Sequence, residues 1–230
     1  MIPKKIHYCW FGGNPLPESV KNFIETWKKH CPGYEIKEWN ESNFDIHALP
    51  YVEEAYQARK WAFVSDVARL NALVAEGGIY MDTDVEVVRS LDDLLEDKAF
   101  LGFEGTQFIA TNMMGCEPFH PFFQQFMESY SHRRFVRQDG SLDTTTNVEE
   151  ITKLLQKEYG MQMNGEEQTA GDIHIYPTDR FSPYDYITGR LKKTKNTYTI
   201  HWFDKSWIKQ STFRTKIAQL YHRIFGIKMK

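Results

Sequence analysis

The segment Gly-Gly-Ile-Tyr-Met-Asp-Thr-Asp, from Gly77 to Asp84, most constrains what this chain can fold into. Ahead of it, Phe63, Val67, Leu70 and Val74 recur on one stripe, with Val64 and Ala68 beside them, which predicts an amphipathic helix over 62–76. The glycine pair stops that helix, and Ile79 to Asp82 follows as a short strand. Side chains i and i+2 of a strand share a face, so Asp82 and Asp84 aim at one point, roughly 7 Å apart at ~3.4 Å per residue. Two carboxylates this close repel unless a cation sits between them or one keeps its proton. A hard divalent metal held by oxygen ligands and bridging to a phosphate resolves the repulsion most simply. Taken alone, the pair reads rather as a solvated acidic turn with an Asp capping a backbone N–H. Its surroundings have to decide.

The same logic places the other elements. A buried strand over 5–11 ends at Gly12 and Gly13, a helix runs over 17–30 on Val20, Phe23, Ile24 and Trp27, and a second strand follows over 34–39. This β-α-β opening implies a parallel pair and an α/β fold. Helices are further expected over 50–59, over 91–96 with Ser90 as cap and Asp93 in a capping box, over 118–130, and over 148–159 with Asn147 as cap. Strands are expected over 85–88, 99–103, 108–114, 173–176 and 197–202, and a last amphipathic helix over 213–225. No repeat or linker interrupts the chain, so 1–230 reads as a single domain.

Composition narrows the class. With 41% hydrophobic and 15% aromatic residues the chain is globular, and a net charge of −3 gives no case for nucleic-acid binding. Three cysteines, Cys9, Cys31 and Cys116, lack metal-site spacing and suggest reduced thiols in the cytoplasm. Met1 to Gly13 carries charge, Pro and His where a secretory leader would be apolar, and no run approaches a membrane span. The 205–230 segment holds seven Lys/Arg and no acid, with Phe213, Ile217, Leu220, Tyr221, Ile224 and Phe225 as an apolar stripe. That stripe packs on the domain or holds the protein, as a peripheral contact, against anionic lipid.

Context then settles the aspartates. Ile6-His7-Tyr8-Cys9-Trp10-Phe11-Gly12-Gly13, the Ser65-Asp66-x-x-Arg69 helix, the Gly77-to-Asp84 segment, and Ile200-His201-Trp202 followed by Ser206 and Trp207 stand in one order. As a set they resemble the D-x-D glycosyltransferases, more narrowly glycosyltransferase family 32, with its yeast initiating mannosyltransferases and bacterial capsule and polysaccharide enzymes. The clostridial glucosylating toxins are more distant relatives. The likeness is clear over about the first 105 residues.

The resemblance implies a GT-A-type single domain with a mixed, largely parallel central sheet flanked by helices. Residues 1–105 would form the nucleotide-sugar half, 106–211 the acceptor side and lid, and 212–230 the basic helix. It implies a metal-dependent, retaining transfer of a hexose or hexosamine from a UDP-sugar, or GDP-mannose, to a glycan or lipid-linked acceptor. Asp82 and Asp84 would hold Mn2+ or Mg2+, with His201 or Asp204 as third ligand; an imidazole favours Mn2+. Asp66 would accept from sugar or ribose hydroxyls while Arg69 orients it and lends charge near the diphosphate. Trp10 would offer its face to the base, or be a core residue. Tyr80 would line the nucleotide pocket or be a half-buried strand tyrosine. Ser206 and Trp207 would donate to the diphosphate.

Other residues are less firmly placed. Glu104 and Asn112 stand where strand ends face the donor sugar. His7 is read as structural and Cys9 as buried. The polar stretch 139–147 caps a helix or holds acceptor hydroxyls. Two rival readings are a Mg2+-dependent phosphatase or phosphotransferase with Asp82 as nucleophile, and a non-catalytic sugar-nucleotide-binding module. The first wants Thr or Val at position 86, where Glu86 stands.

Overall fold

The computed structural model describes residues 1–203. The elements in order are β1 (Lys5–Cys9), α1 (Glu18–His30), β2 (Glu35–Trp39), α2 (Pro50–Gln57), α3 (Trp61–Glu76), β3 (Gly78–Met81), β4 (Val85–Val87), a 3-10 helix (Asp92–Glu96), β5 (Ala99–Glu104) and β6 (Phe108–Cys116). Then follow α4 (Pro121–Glu128), α5 (Asn147–Tyr159), β7 (Gln168–Ala170), β8 (Ile173–Tyr176), α6 (Thr178–Phe181), β9 (Tyr184–Asp185), β10 (Arg190–Leu191) and β11 (Thr199–His201).

Seven strands form one sheet in the order β2-β1-β3-β6-β5-β8-β7. It is mixed, as expected. Its parallel ladders are β1 with β2, β1 with β3, and β5 with β8, and its antiparallel ladders are β3 with β6, β5 with β6, and β7 with β8. The two kinds are thus equal in number, because β5 and β6 form a hairpin where a crossover would have kept the sheet parallel.

Strand alternation builds a core on each face. Tyr80, Leu101, Phe103 and Met114 pack with α2, α3, α4 and α5. Ile6, Tyr8, Ile79, Met81, Phe100 and Met113 pack with α1 and the 3-10 helix. The sheet is therefore the middle of three layers. Leu91 stands at the start of the 3-10 helix without a side-chain cap, and Ser90 only accepts from the Asp92 N–H, so no capping box forms. At α5 the cap is Thr146, whose hydroxyl accepts from the Glu149 N–H, and Asn147 is the first helical residue. The helix expected over 213–225 lies outside the described residues.

Two features aim β3. Gly77 closes α3 at φ 63° and ψ −158°, a conformation L-residues avoid. A Cβ there would lie 2.6 Å from Pro118 Cδ and 2.7 Å from Pro118 N. The Gly77 carbonyl accepts from buried His7 Nε2 at 2.8 Å. Trp39 Nε1 donates to His7 Nδ1 at 3.1 Å, so the ring proton belongs on Nε2. Burial lowers the His7 pKa, which keeps this neutral tautomer. His7 is structural, as the sequence suggested. Gly77→Ala should destabilise the fold by about 3 kcal/mol or more, from backbone strain plus the Pro118 clash. Urea unfolding checks this, and an unchanged midpoint would contradict it.

Candidate functional site

Asp82 follows the last residue of β3, and Trp10 the last residue of the neighbouring parallel β1. Both stand at the carboxyl edge, where open α/β sheets bind ligands. Antiparallel β6 brings Asn112 alongside, and its carbonyl accepts from the Asp82 N–H at 2.8 Å. The third contribution is remote in sequence. Antiparallel β11 pairs with β4, setting His201 opposite Val85, and the Trp202 N–H bonds the Asp84 carbonyl at 3.1 Å.

Asp82, Asp84 and His201 thereby each offer a ligand atom, all within 4.8 Å of one another. His201 Nε2 lies 3.4 Å from Asp84 Oδ1. Burial pushes the His201 pKa down, but the hydrogen bond to Asp84 and the negative charge of Asp84, Asp82 and Glu104 outweigh it, and the net shift is upward. This is an anionic pocket that favours positive charge. Two carboxylates and an imidazole suit a divalent cation. His201 also keeps a buried Nδ1 without a partner.

Behind the triad lies a second layer. Arg69 is 5% exposed, and its guanidinium stands 3.2 Å from Asp66 Oδ1 and 3.3 Å from Asp82 Oδ1. It also donates to the carbonyls of Thr111 at 2.8 Å and Ser65 at 3.2 Å. The i,i+3 spacing puts Asp66 and Arg69 on one face of α3, and that face is buried. Tyr80 donates its hydroxyl to Asp82 Oδ1 at 2.7 Å, and the Arg69 guanidinium lies over its ring at 4.5 Å. At 1% exposure Tyr80 has no surface for a ribose. This corrects its expected place in the nucleotide pocket: the strand period aims it at the α3 core, where it holds Asp82.

Glu104, at the end of β5, is brought into the same field. Burial raises its pKa, the charges of Asp82 and Asp84 add to the rise, and His201 opposes it. Asn112 is 2% exposed, with Nδ2 3.4 Å from Ser182 Oγ and a buried Oδ1 that has no partner. Trp10 is half-buried at the β1 terminus, packs against the α1-side core and donates Nε1 to the Asn14 carbonyl at 2.7 Å. Cys9 is buried in an apolar setting that pushes its thiol up to about 12, so it is no nucleophile. Asp204, Ser206 and Trp207 lie outside the described residues. No sequence signal marked the buried cluster of Tyr51, Tyr130 and Arg133, in which the guanidinium lies over both rings and polar atoms stay unpaired.

Residues 17–101 match the family model described as "Glycosyltransferase sugar-binding region containing DXD motif". This part of the chain is thus similar to the DXD glycosyltransferase sugar-binding region. It contains Asp66, Arg69, Tyr80, Asp82 and Asp84, while Trp10 and His201 fall outside it. Among similar proteins, inositol phosphoceramide mannosyltransferase 3 of Schizosaccharomyces pombe is 31% identical over 132 residues, 56% of this chain and 37% of its own length. An uncharacterized glycosyltransferase of Acanthamoeba polyphaga mimivirus is 28% identical over 166 residues, 64% of this chain and 61% of its own. The chain thus spans little more than a third of the yeast relative. In structure it resembles the PaToxG glycosyltransferase, with a TM-score of 0.52 and 20% identity over 70% of this chain and 71% of that one. The sugar-binding region thus sits in a GT-A-type fold. Among the described residues, no helix is long and apolar enough to cross a membrane.

The carboxyl of Asp66 in this region is pushed up to about 6, first by burial and then by the charge of Asp82, against the pull of Arg69. A folded-state value above the unfolded one means that the ionised form costs stability above pH 6, and that the cost fades as pH falls through 6 toward 4. In the absence of nucleotide, Asp66→Asn should therefore be more stable than the parent at pH 8, on the order of 2 kcal/mol. The difference should close near pH 4. Denaturation curves of both proteins across pH would show it, and a gap independent of pH would contradict it.

Proposed function

We propose that this chain is a metal-dependent glycosyltransferase that moves a hexose or hexosamine from a nucleoside-diphosphate sugar to a glycan or lipid-linked glycan acceptor. A UDP-sugar is the favoured donor and GDP-mannose the alternative. The observation that carries the reading is the convergence of Asp82, Asp84 and His201 within 4.8 Å. Two of these lie in the sugar-binding region, and the third arrives on β11 from more than a hundred residues away. The mannosyltransferase named among its relatives is consistent with a hexose.

In this reading Asp82, Asp84 and His201 hold a divalent cation, Mn2+ by preference because of the imidazole. The cation, when bound, neutralises charge developing on the leaving diphosphate. Asp66 accepts hydrogen bonds from donor hydroxyls. Arg69, buried and always charged, orients both Asp66 and Asp82 and opposes the upward push of burial on the Asp66 carboxyl. Tyr80 fixes the Asp82 rotamer through its hydroxyl. Trp10 faces the base, while Ser206 and Trp207, the expected donors to the diphosphate, lie outside the described residues. Asp82 serves poorly as a phosphotransferase nucleophile, since one of its oxygens is engaged by both Tyr80 and Arg69.

Resemblance points to retention of anomeric configuration through front-face attack. Asp84→Ala should lower metal-dependent turnover of a nucleotide sugar by about a thousandfold while leaving the unfolding midpoint within a few degrees. Steady-state kinetics with Mn2+, together with the anomer of the product by NMR, test both halves. Undiminished turnover would remove the metal assignment, and an inverted anomer would remove retention.

A further inference from the structure

Seven large apolar side chains are exposed among the described residues, and three of them, Tyr186, Ile187 and Leu191, fall within 186–191. They belong to the β9–β10 hairpin, a two-stranded sheet that stands apart from the seven-stranded one. Such a hairpin is marginal by itself, so its turn and its neighbours set its shape. Asp185 Oδ1 accepts from the Ile187 and Thr188 N–H groups at 2.9 and 3.1 Å, and its Oδ2 accepts from the Thr188 hydroxyl at 2.7 Å. The Gly189 N–H closes the loop onto the Asp185 carbonyl at 2.7 Å. At the tip Ile187 is 48% exposed, and Leu191 on the returning strand is 43% exposed.

The base of the hairpin is tied to the triad. Tyr184 packs on Trp202 with ring centroids 5.2 Å apart, and Tyr186 on Phe203 at 4.7 Å. The Phe203 ring in turn lies 3.8 Å from that of His201. Phe203 takes φ 53°, a left-handed conformation that a bulky residue adopts only under constraint. That strain is sustained where its ring meets both His201 and Tyr186. Two ring contacts thus separate the hairpin from the imidazole of the triad.

The apolar tip is rimmed by positive charge. Residues 186–196 hold Arg190, Lys192, Lys193 and Lys195 and no acid, and all four are exposed. The acids beside them are engaged within the fold, Asp185 by the turn and Asp179 by the Thr194 hydroxyl at 2.8 Å. Exposed apolar groups among cations match the surface of an anionic bilayer, where the apolar groups enter the headgroup boundary and the cations meet lipid phosphates. The 205–230 segment is a poor cover for the hairpin, because its seven Lys/Arg and no acid would set like charge against like. We propose that the β9–β10 hairpin docks on an anionic membrane surface through Ile187, Leu191 and its four cations, and so presents the triad to acceptors anchored in that surface. The docking stands on the hairpin alone, while the presentation of a lipid-linked acceptor rests on the nucleotide-sugar reading of the site.

The test is flotation of the protein with vesicles of phosphatidylcholine alone and of phosphatidylcholine with about one-third phosphatidylserine, at low and high salt. The parent should bind the anionic vesicles about tenfold or more tightly than the neutral ones, and high salt should weaken that binding. Each exposed cation adds about fivefold at such a surface, so Lys192→Gln with Lys193→Gln should weaken binding by about twentyfold. Ile187→Ser with Leu191→Ser keeps the charge and should weaken it by about tenfold. All four positions are exposed, so unfolding midpoints and vesicle-free hydrolysis of a nucleotide sugar should match the parent. No preference of the parent for anionic vesicles would overturn the proposal. Parental binding in both double variants would overturn it too, since the docking surface would then lie elsewhere, as on the 213–225 stripe. Vesicle binding lost in both doubles, with no nucleotide sugar turned over by the parent, would support the docking and remove the proposed function.

Discussion

The buried guanidinium of Arg69 is the constraint on which the rest of the site depends. A permanent cation cannot be buried without partners, and Arg69 collects four: Asp66, Asp82 and the carbonyls of Ser65 and Thr111. These come from helix α3, the end of strand β3 and strand β6, so one side chain ties three elements together at the edge where ligands bind. It also solves an electrostatic problem. Asp66, Asp82, Asp84 and Glu104 gather in one region, and the Arg69 charge opposes the rise that burial and Asp82 give the Asp66 pKa.

From that anchor the geometry follows in steps. His7 and Gly77 fix how β3 leaves α3. Tyr80 then locks Asp82 from the core side, leaving its position relative to Asp84 determined. The β4–β11 ladder adds His201. The result is a triad whose members are set by backbone pairing rather than by flexible side chains, which suits a site that must hold a highly charged ligand without reorganising.

Much of this was legible in the sequence where the signal was local. The apolar stripe of α3, the glycine pair and the two aspartates gave the helix, turn and strand nearly to the residue, because periodicity and glycine chemistry act within one turn. The β1-α1-β2 opening was legible for the same reason. What could not be read was set by contacts distant in sequence. The period placed Tyr80 on the Asp82 side, but not the α3 packing that buries it completely. The β5–β6 hairpin that evens parallel and antiparallel ladders has no turn signal stronger than Gly105. The short polar strands β7, β9 and β10 carry too little hydrophobic pattern to announce themselves. Thr146 took the cap expected of Asn147, which freed Asn147 to bond Thr111 beside Asp66. The Arg133 cluster joins α2 to the segment that follows α4 and has no motif at all.

Asp82, Asp84 and His201 are the proposed cation site of a nucleotide-sugar pocket. Anomalous diffraction at the manganese edge, from crystals grown with Mn2+ and UDP, tests it most directly. One strong peak is expected within bonding distance of Asp84 and His201, with diphosphate oxygens on its open side. A peak elsewhere, or diphosphate bound with no metal at the triad, would contradict it.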